Sequence, residues 1–347
     1  MPTAPAPGNG WRILTALAAL CLLAGISALV LIRAFTSGSV TLPPGTPPPP
    51  APQAARDSRA ASGTIADALR EARIALDRGQ NQPAAAILSR AVERWPKDQE
   101  LRLRLGEALI ALKDFASAYP HYRAAIDIGP APANLHLDAG TVANAAGLPD
   151  EAMAHYLLAR KADPANPRIP LYLGMVHARR GDDAAATASL LTAIGLDPSL
   201  AEAWGTLAEL SLRNDRLGMA ADQARKAREL QPTELRWRLV EARALKRDNK
   251  PDQAAMLLVG LDAANRAQPA VLELLADCYG MLGKPAQAAA ACEEAAKTRP
   301  ADGTVAYLAA LWLDRAGKRE DAERFARRAD ELGEPRAVAL LQQLRGK

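Results

Sequence analysis

An alanine recurs every 34 residues through most of this chain, at Ala84, Ala118, Ala152, Ala186, Ala220, Ala254, Ala288 and Ala322. An unbroken interval of that length restricts the fold to stacked copies of one short helical or mixed unit, because self-similarity at such a period is the signature of repeat arrays. A second ladder keeps the same spacing at Pro96, Pro130, Pro164, Pro198, Pro232 and Pro300. Proline lacks a backbone N–H and disfavours helical geometry in the residue before it, so each of these ends a helix and opens a turn. A third ladder, Ala91, Ala125, Ala159, Ala193, Ala227, Ala295 and Ala329, fails only at Leu261, and the proline ladder fails only at Arg266. Both departures fall in the sixth unit, which is expected to differ from the rest.

Between the ladders lie Gly106, Gly140 and Gly174 on a first helix, then Gly79, Gly147, Gly181, Gly283 and Gly317 at the turn into a second. Small residues let two helix backbones approach. Leu105, Leu109, Tyr122, Tyr156, Leu173, Leu190, Trp204, Leu207 and Tyr279 fill the same seams with helical rather than alternating spacing. Each unit therefore reads as an antiparallel helix pair. Aromatic residues make up only 4% of the chain, which leaves the packing to alanine and leucine, both strong helix formers. One pair cannot bury both of its faces, so the units stack into a continuous core.

This pattern resembles the tetratricopeptide repeat family, most clearly in the second to fourth units. In the second, Leu105, Gly106, Ala118, Tyr122, Ala125 and Pro130 occupy family positions; in the third, Gly140, Ala152, Tyr156, Ala159 and Pro164 do so. Most family aromatics are missing elsewhere. The resemblance implies an all-α, right-handed solenoid of helical hairpins over residues 62–334, with about eight repeats starting near residues 65, 99, 133, 167, 201, 235, 269 and 303, and a capping helix in 335–347.

It also implies a concave groove lined by the first helices, with Leu69, Arg73, Leu103, Glu107, Leu137, Thr141, Leu171, Met175, Glu209, Leu239 and Arg243 projecting into it. Leucine recurs at one of these positions, which predicts an apolar rail for a helical or extended segment of a protein partner; the alternative is that the leucines seal adjacent helices. The family's carboxylate clamp needs a lysine where this chain has Leu69, Leu103, Leu137 and Leu171, so capture of an acidic carboxyl-terminal tail is not expected.

Residues 13–32 form an uncharged run rich in Leu, Ala, Ile and Val, long enough for a bilayer core, bracketed by Arg12 and Arg33 with Trp11 and Phe35 at its ends. This predicts a transmembrane signal-anchor helix after a short tail at 1–12, with the lipid bilayer as a partner. A cleaved signal peptide and a lipoprotein signal are the alternatives, but Arg33 stands where a small-residue cleavage site belongs and Leu20 precedes Cys21. The slight positive bias of the amino side places it in the cytoplasm and exports the repeats, which in a bacterial inner-membrane protein means the periplasm. Residues 33–61, proline-rich at 42–53, read as an extended spacer.

The formal charge of +4 divides into +3 for residues 1–61 and +1 for 62–347, where 39 basic residues face 38 acidic ones. A near-neutral, aromatic-poor domain lacks the electrostatic footprint of a nucleic-acid binder. One local cluster stands out, Arg236, Arg243, Lys246 and Arg247, read either as a site for an acidic partner or as a solvated face balanced by Glu229, Glu234 and Glu241. The chain has no phosphate-binding Gly-rich loop, no His-Glu-x-x-His and no Gly-x-Ser-x-Gly, so neither enzymatic activity nor a cofactor is expected. His121 and His155 stand at equivalent places in consecutive repeats, without the cysteines or carboxylates that would make them metal ligands. Cys278 and Cys292, on the two helices of the seventh unit, face the interior, where a bond between them is conceivable in an oxidising compartment.

These features together predict a membrane-tethered adaptor for proteins of envelope assembly, secretion or biogenesis. The alternatives are a regulatory or accessory subunit of a membrane enzyme such as a polysaccharide synthase, and a self-associating membrane scaffold.

Overall fold

All eight alanines of the first ladder are fully buried, because each lies where the two helices of a hairpin cross too closely for a larger side chain. A computed structural model of the chain describes residues 63–346. Its first four hairpins are α1 (Ile65–Asp77) with α2 (Asn81–Arg94), α3 (Gln99–Ala111) with α4 (Phe115–Ile128), α5 (Ala133–Ala145) with α6 (Pro149–Ala162), and α7 (Arg168–Arg180) with α8 (Asp183–Leu196). The fifth is α9 (Ala201–Arg213) with α10 (Leu217–Leu230), and the sixth is α11 (Leu235–Arg247) with α12 (Pro251–Val259), followed by the short α13 (Ala263–Arg266). The last two are α14 (Pro269–Met281) with α15 (Pro285–Thr298) and α16 (Gly303–Arg315) with α17 (Arg319–Glu331), closed by α18 (Arg336–Gly346). The described residues contain no strand.

The hairpin turns repeat as strictly as the alanines. A residue with left-handed backbone stands at each one: Gly79, Lys113, Gly147, Gly181, Asp215, Asn249, Gly283 and Gly317. Glycine adopts this conformation without a Cβ clash, whereas Lys113, Asp215 and Asn249 hold it at a steric cost. On the first helices, a Cβ added to Gly106 would fall 2.7 Å from the Tyr122 ring, and one added to Gly140 would fall 2.5 Å from Tyr156. The glycines therefore create the space into which the second-helix tyrosines pack.

The sixth unit departs from this plan where its sequence does. Its second helix ends at Val259 after 9 residues, against 14 in the fifth unit. The chain restarts as α13, capped by the Asp262 side chain accepting from the Asn265 N–H. Arg266, in place of the turn proline, donates from its guanidinium to the carbonyls of Val259 and Leu261 at 3.1 and 2.6 Å. Those are carbonyls that the shortened helix leaves without partners.

First helices of successive hairpins touch along most of the array, whereas among the second-helix segments only the short α13 makes a comparable contact, with α15. The first helices thus form the closely spaced inner row and the second helices the outer one. At the carboxyl end α18 buries Ala337, Leu340 and Leu344 against the eighth hairpin, capping an apolar face that would otherwise meet water. The apolar run at 13–32 and the spacer at 33–61 lie outside the described residues. Among the described residues no helix is long and apolar enough to cross a membrane.

A candidate protein-binding face on the first helices

The predicted groove residues all lie on the first helices, at different depths. Leu137 and Leu171 are only 7% and 5% exposed and pack into the seams between repeats. Leu69, Leu103, Leu239, Met175 and Glu209 are half-buried, and Arg73, Glu107, Thr141 and Arg243 are exposed. At the fifth unit the leucine position is Gly205, because the Trp237 ring of the next first helix occupies that space; a Cβ there would fall 2.1 Å from the ring. The recurrent leucine is thus a seam residue in the middle of the array and a partly open one toward its ends.

One opening lies between the first two repeats. There a cleft of about 400 Å³ is lined by Leu69, Leu76 and Leu88 with Arg70, Arg73, Arg104, Glu100 and Glu107 around them. Arg104 spans the two carboxylates of its own helix, at 3.5 Å from Glu100 and 3.0 Å from Glu107. Among the described residues no carboxylate pairs with Arg73. One repeat further, the surrounding protein and then the neighbouring Glu107 push the Asp138 carboxyl above its ordinary range, against an opposing pull from Arg168. Burial holds the Tyr122 hydroxyl at about 12, so it stays protonated beneath this face. The result is an apolar floor with an unpaired cation on one side and crowded carboxylates on the other, an arrangement suited to a peptide segment with both charge signs.

The basic cluster is interleaved with acids. Arg236 grips Glu209 through two hydrogen bonds of 2.8 and 2.7 Å and lies over the Trp237 ring. Lys246 pairs with Asp277 at 2.7 Å, and Arg247 with Asp215 at 2.7 Å. Among the described residues, Arg243 alone of the four has no acidic partner. Beneath them Glu241 is buried, with Arg228 at 2.7 Å and Arg225 at 3.4 Å. These pairs tie the fifth, sixth and seventh units together.

His121 and His155 do not meet. His121 lies 3.4 Å from the Arg102 guanidinium, whereas His155 faces His136 on the first helix of its own hairpin, with Nδ1 atoms 3.3 Å apart. Sequence reasoning missed this pair because equivalent places in consecutive repeats lie a full repeat apart, while the fourth residue of a first helix faces the second helix of the same hairpin. Cys278 and Cys292 are free and buried. Burial pushes their thiols to about 11 and about 12, which keeps both protonated and unreactive at neutral pH.

A family model described as tetratricopeptide repeat matches residues 69–134 and 137–201. Among solved structures, PilW, described as a widely conserved type IV pilus biogenesis factor, aligns with a TM-score of 0.52 at 21% identity, covering 60% of this chain and 96% of its own. Yeast Tom70 aligns with a TM-score of 0.51 at 16% identity, over 77% of this chain and 59% of its own. A tetratricopeptide repeat protein from Parabacteroides merdae aligns over 71% of this chain and 98% of its own at 21% identity, with a TM-score of 0.49. At such identities the likeness is one of fold. No curated protein sequence matches the chain.

Proposed function

We propose, from the premise that this chain is a tetratricopeptide repeat protein, that it is an adaptor which holds a segment of another protein against its first helices while residues 13–32 tether it to a membrane. The cleft over Leu69 and Leu76, with the unpaired Arg73 opposite Glu107, is the observation that carries the binding half of this reading. Its apolar floor supplies the area, and its rim of both signs supplies register and selectivity. The uncharged run bracketed by Arg12 and Arg33 supports the tether. With the amino end in the cytoplasm, the repeats stand in the periplasm of a bacterial cell, at the end of a proline-rich spacer. An envelope role in assembly, secretion or biogenesis follows from that placement.

The test is crosslinked capture from native membranes with the full chain and with the double variant Arg73→Glu, Glu107→Arg. Both side chains are exposed, so the swap preserves net charge and leaves the core untouched. Loss of one discrete envelope protein from the variant's capture is the expected result. Identical capture by both would remove the first two repeats from the binding surface. Alkaline carbonate extraction checks the tether: the full chain stays with the membrane pellet and a chain lacking residues 1–35 does not.

A further inference from the structure

The chain has four histidines, and two of them converge on one point. His136 on α5 and His155 on α6 present their Nδ1 atoms to each other at 3.3 Å, with the rings inclined by 32°. That separation exceeds a well-formed hydrogen bond. It matches the edge of a tetrahedron around a late first-row cation, since metal–nitrogen bonds of 2.0–2.1 Å at the tetrahedral angle place two nitrogens about 3.3–3.4 Å apart. The far nitrogen of His155 is also engaged: Nε2 lies 3.3 Å from the Tyr119 hydroxyl of the preceding repeat, whose ring meets the imidazole edge-on. In the tautomer whose Nε2–H donates to that hydroxyl, the Nδ1 lone pair faces His136, as it does where outer partners orient metal-bound histidines.

We propose that His136 and His155 form a two-histidine site for a divalent late transition metal, Cu²⁺ or Zn²⁺, whose remaining positions are open to water or to a ligand from a partner. Both rings are half-buried, and burial lowers their basicity, so at neutral pH they are uncharged and offer lone pairs. The charges acting on His155 are His136 when protonated and Arg123, which oppose a cation, and Asp127 and Glu151, which favour it. The equivalent place in the preceding repeat pairs His121 with Arg102 and has no second imidazole, which makes it an internal control. Copper binds more tightly than zinc at such a site, following the general order for nitrogen ligands. The open positions distinguish this site from a closed structural one, so the repeats fold without the metal and gain stability when it binds.

The test titrates the purified full chain with Cu²⁺ and with Zn²⁺, followed by calorimetry and, for copper, by electron paramagnetic resonance. The expected result is one equivalent per chain, a two-nitrogen hyperfine pattern, and at least a tenfold loss of affinity in His136→Ala and in His155→Ala. His121→Ala keeps the parent affinity, and Tyr119→Phe weakens binding about tenfold while preserving the stoichiometry. Thermal melting of each metal-free variant verifies the fold, and His155→Gln replaces His155→Ala if the latter melts early. Equal uptake by parent and His155 variants, or a copper spectrum unchanged by either substitution, would overturn the proposal.

Discussion

In the second and third units a glycine of the first helix faces a tyrosine of its own second helix, Gly106 against Tyr122 and Gly140 against Tyr156. In the fifth and sixth units the corresponding fit crosses a repeat boundary, with Gly205 receiving the fully buried Trp237 of the following unit. The first kind of contact closes a hairpin on itself; the second fastens one hairpin to the next. The same kind of fit recurs between two regular units, where Gly280 of the seventh receives Trp312 of the eighth. The buried Glu241 held by Arg225 and Arg228 extends the same cross-repeat logic with charge. Regular and irregular units alike are thus fastened to their neighbours, and the second and third add a glycine–tyrosine contact within the hairpin.

Removing the indole should have the largest effect. Trp237→Ala is expected to cost about 4 kcal/mol and, by weakening one interface of a nearest-neighbour array, to split a single urea transition into two. The compensating pair Gly205→Leu, Trp237→Val restores the Leu-over-Val seam seen at Leu239 and Val271 and should recover much of that loss. Gly140→Ala tests the closed unit: its Cβ would meet the Tyr156 ring at 2.5 Å and the Ala152 carbonyl at 3.1 Å, and about 2 kcal/mol should be lost without a second transition.

Glu241 is the charged member of a mostly apolar position, since Leu105, Leu173, Leu207 and Leu275 stand at equivalent places in other units. Glu241→Leu should cost about 2 kcal/mol in thermal melts, because it leaves the largely buried Arg228 without its carboxylate, whereas Arg225 is half-exposed and can return to water. Lys113→Gly relieves a left-handed backbone at φ 61° and should stabilise the second unit by about 1 kcal/mol. The smallest effect is acid sensitivity. Burial lowers the His136 and His155 pKa values below 6.5, so the unfolded chain binds protons first as pH falls. Stability is then complete above pH 6.5 and declines below it, a slope that His136→Gln should flatten in pH-dependent melts.

Much of the fold was legible because its constraints are local. The alanine ladder marks helix crossings that admit nothing larger, the prolines sit two residues beyond the second helices, and Leu261 and Arg266 flag the one outer helix that breaks. The depth of the leucines was not legible. Leu103 and Leu137 share a repeat position, yet one is half-buried and the other sealed, because depth depends on what the next repeat brings across the seam. Trp237 reaching Gly205 and His155 reaching His136 were hidden for a related reason. Periodicity aligns residues that are equivalent, whereas contact joins residues that are complementary.

A photocrosslinking amino acid placed at position 73 on the inner row, and separately at the exposed Leu191 on the outer row, would test most directly whether the first helices carry the binding surface. In cells expressing the full chain, a discrete adduct from position 73 and none from position 191 is the predicted result. An adduct from position 191 with none from position 73 would move the binding surface to the second helices and contradict the adaptor mechanism derived from the inner face.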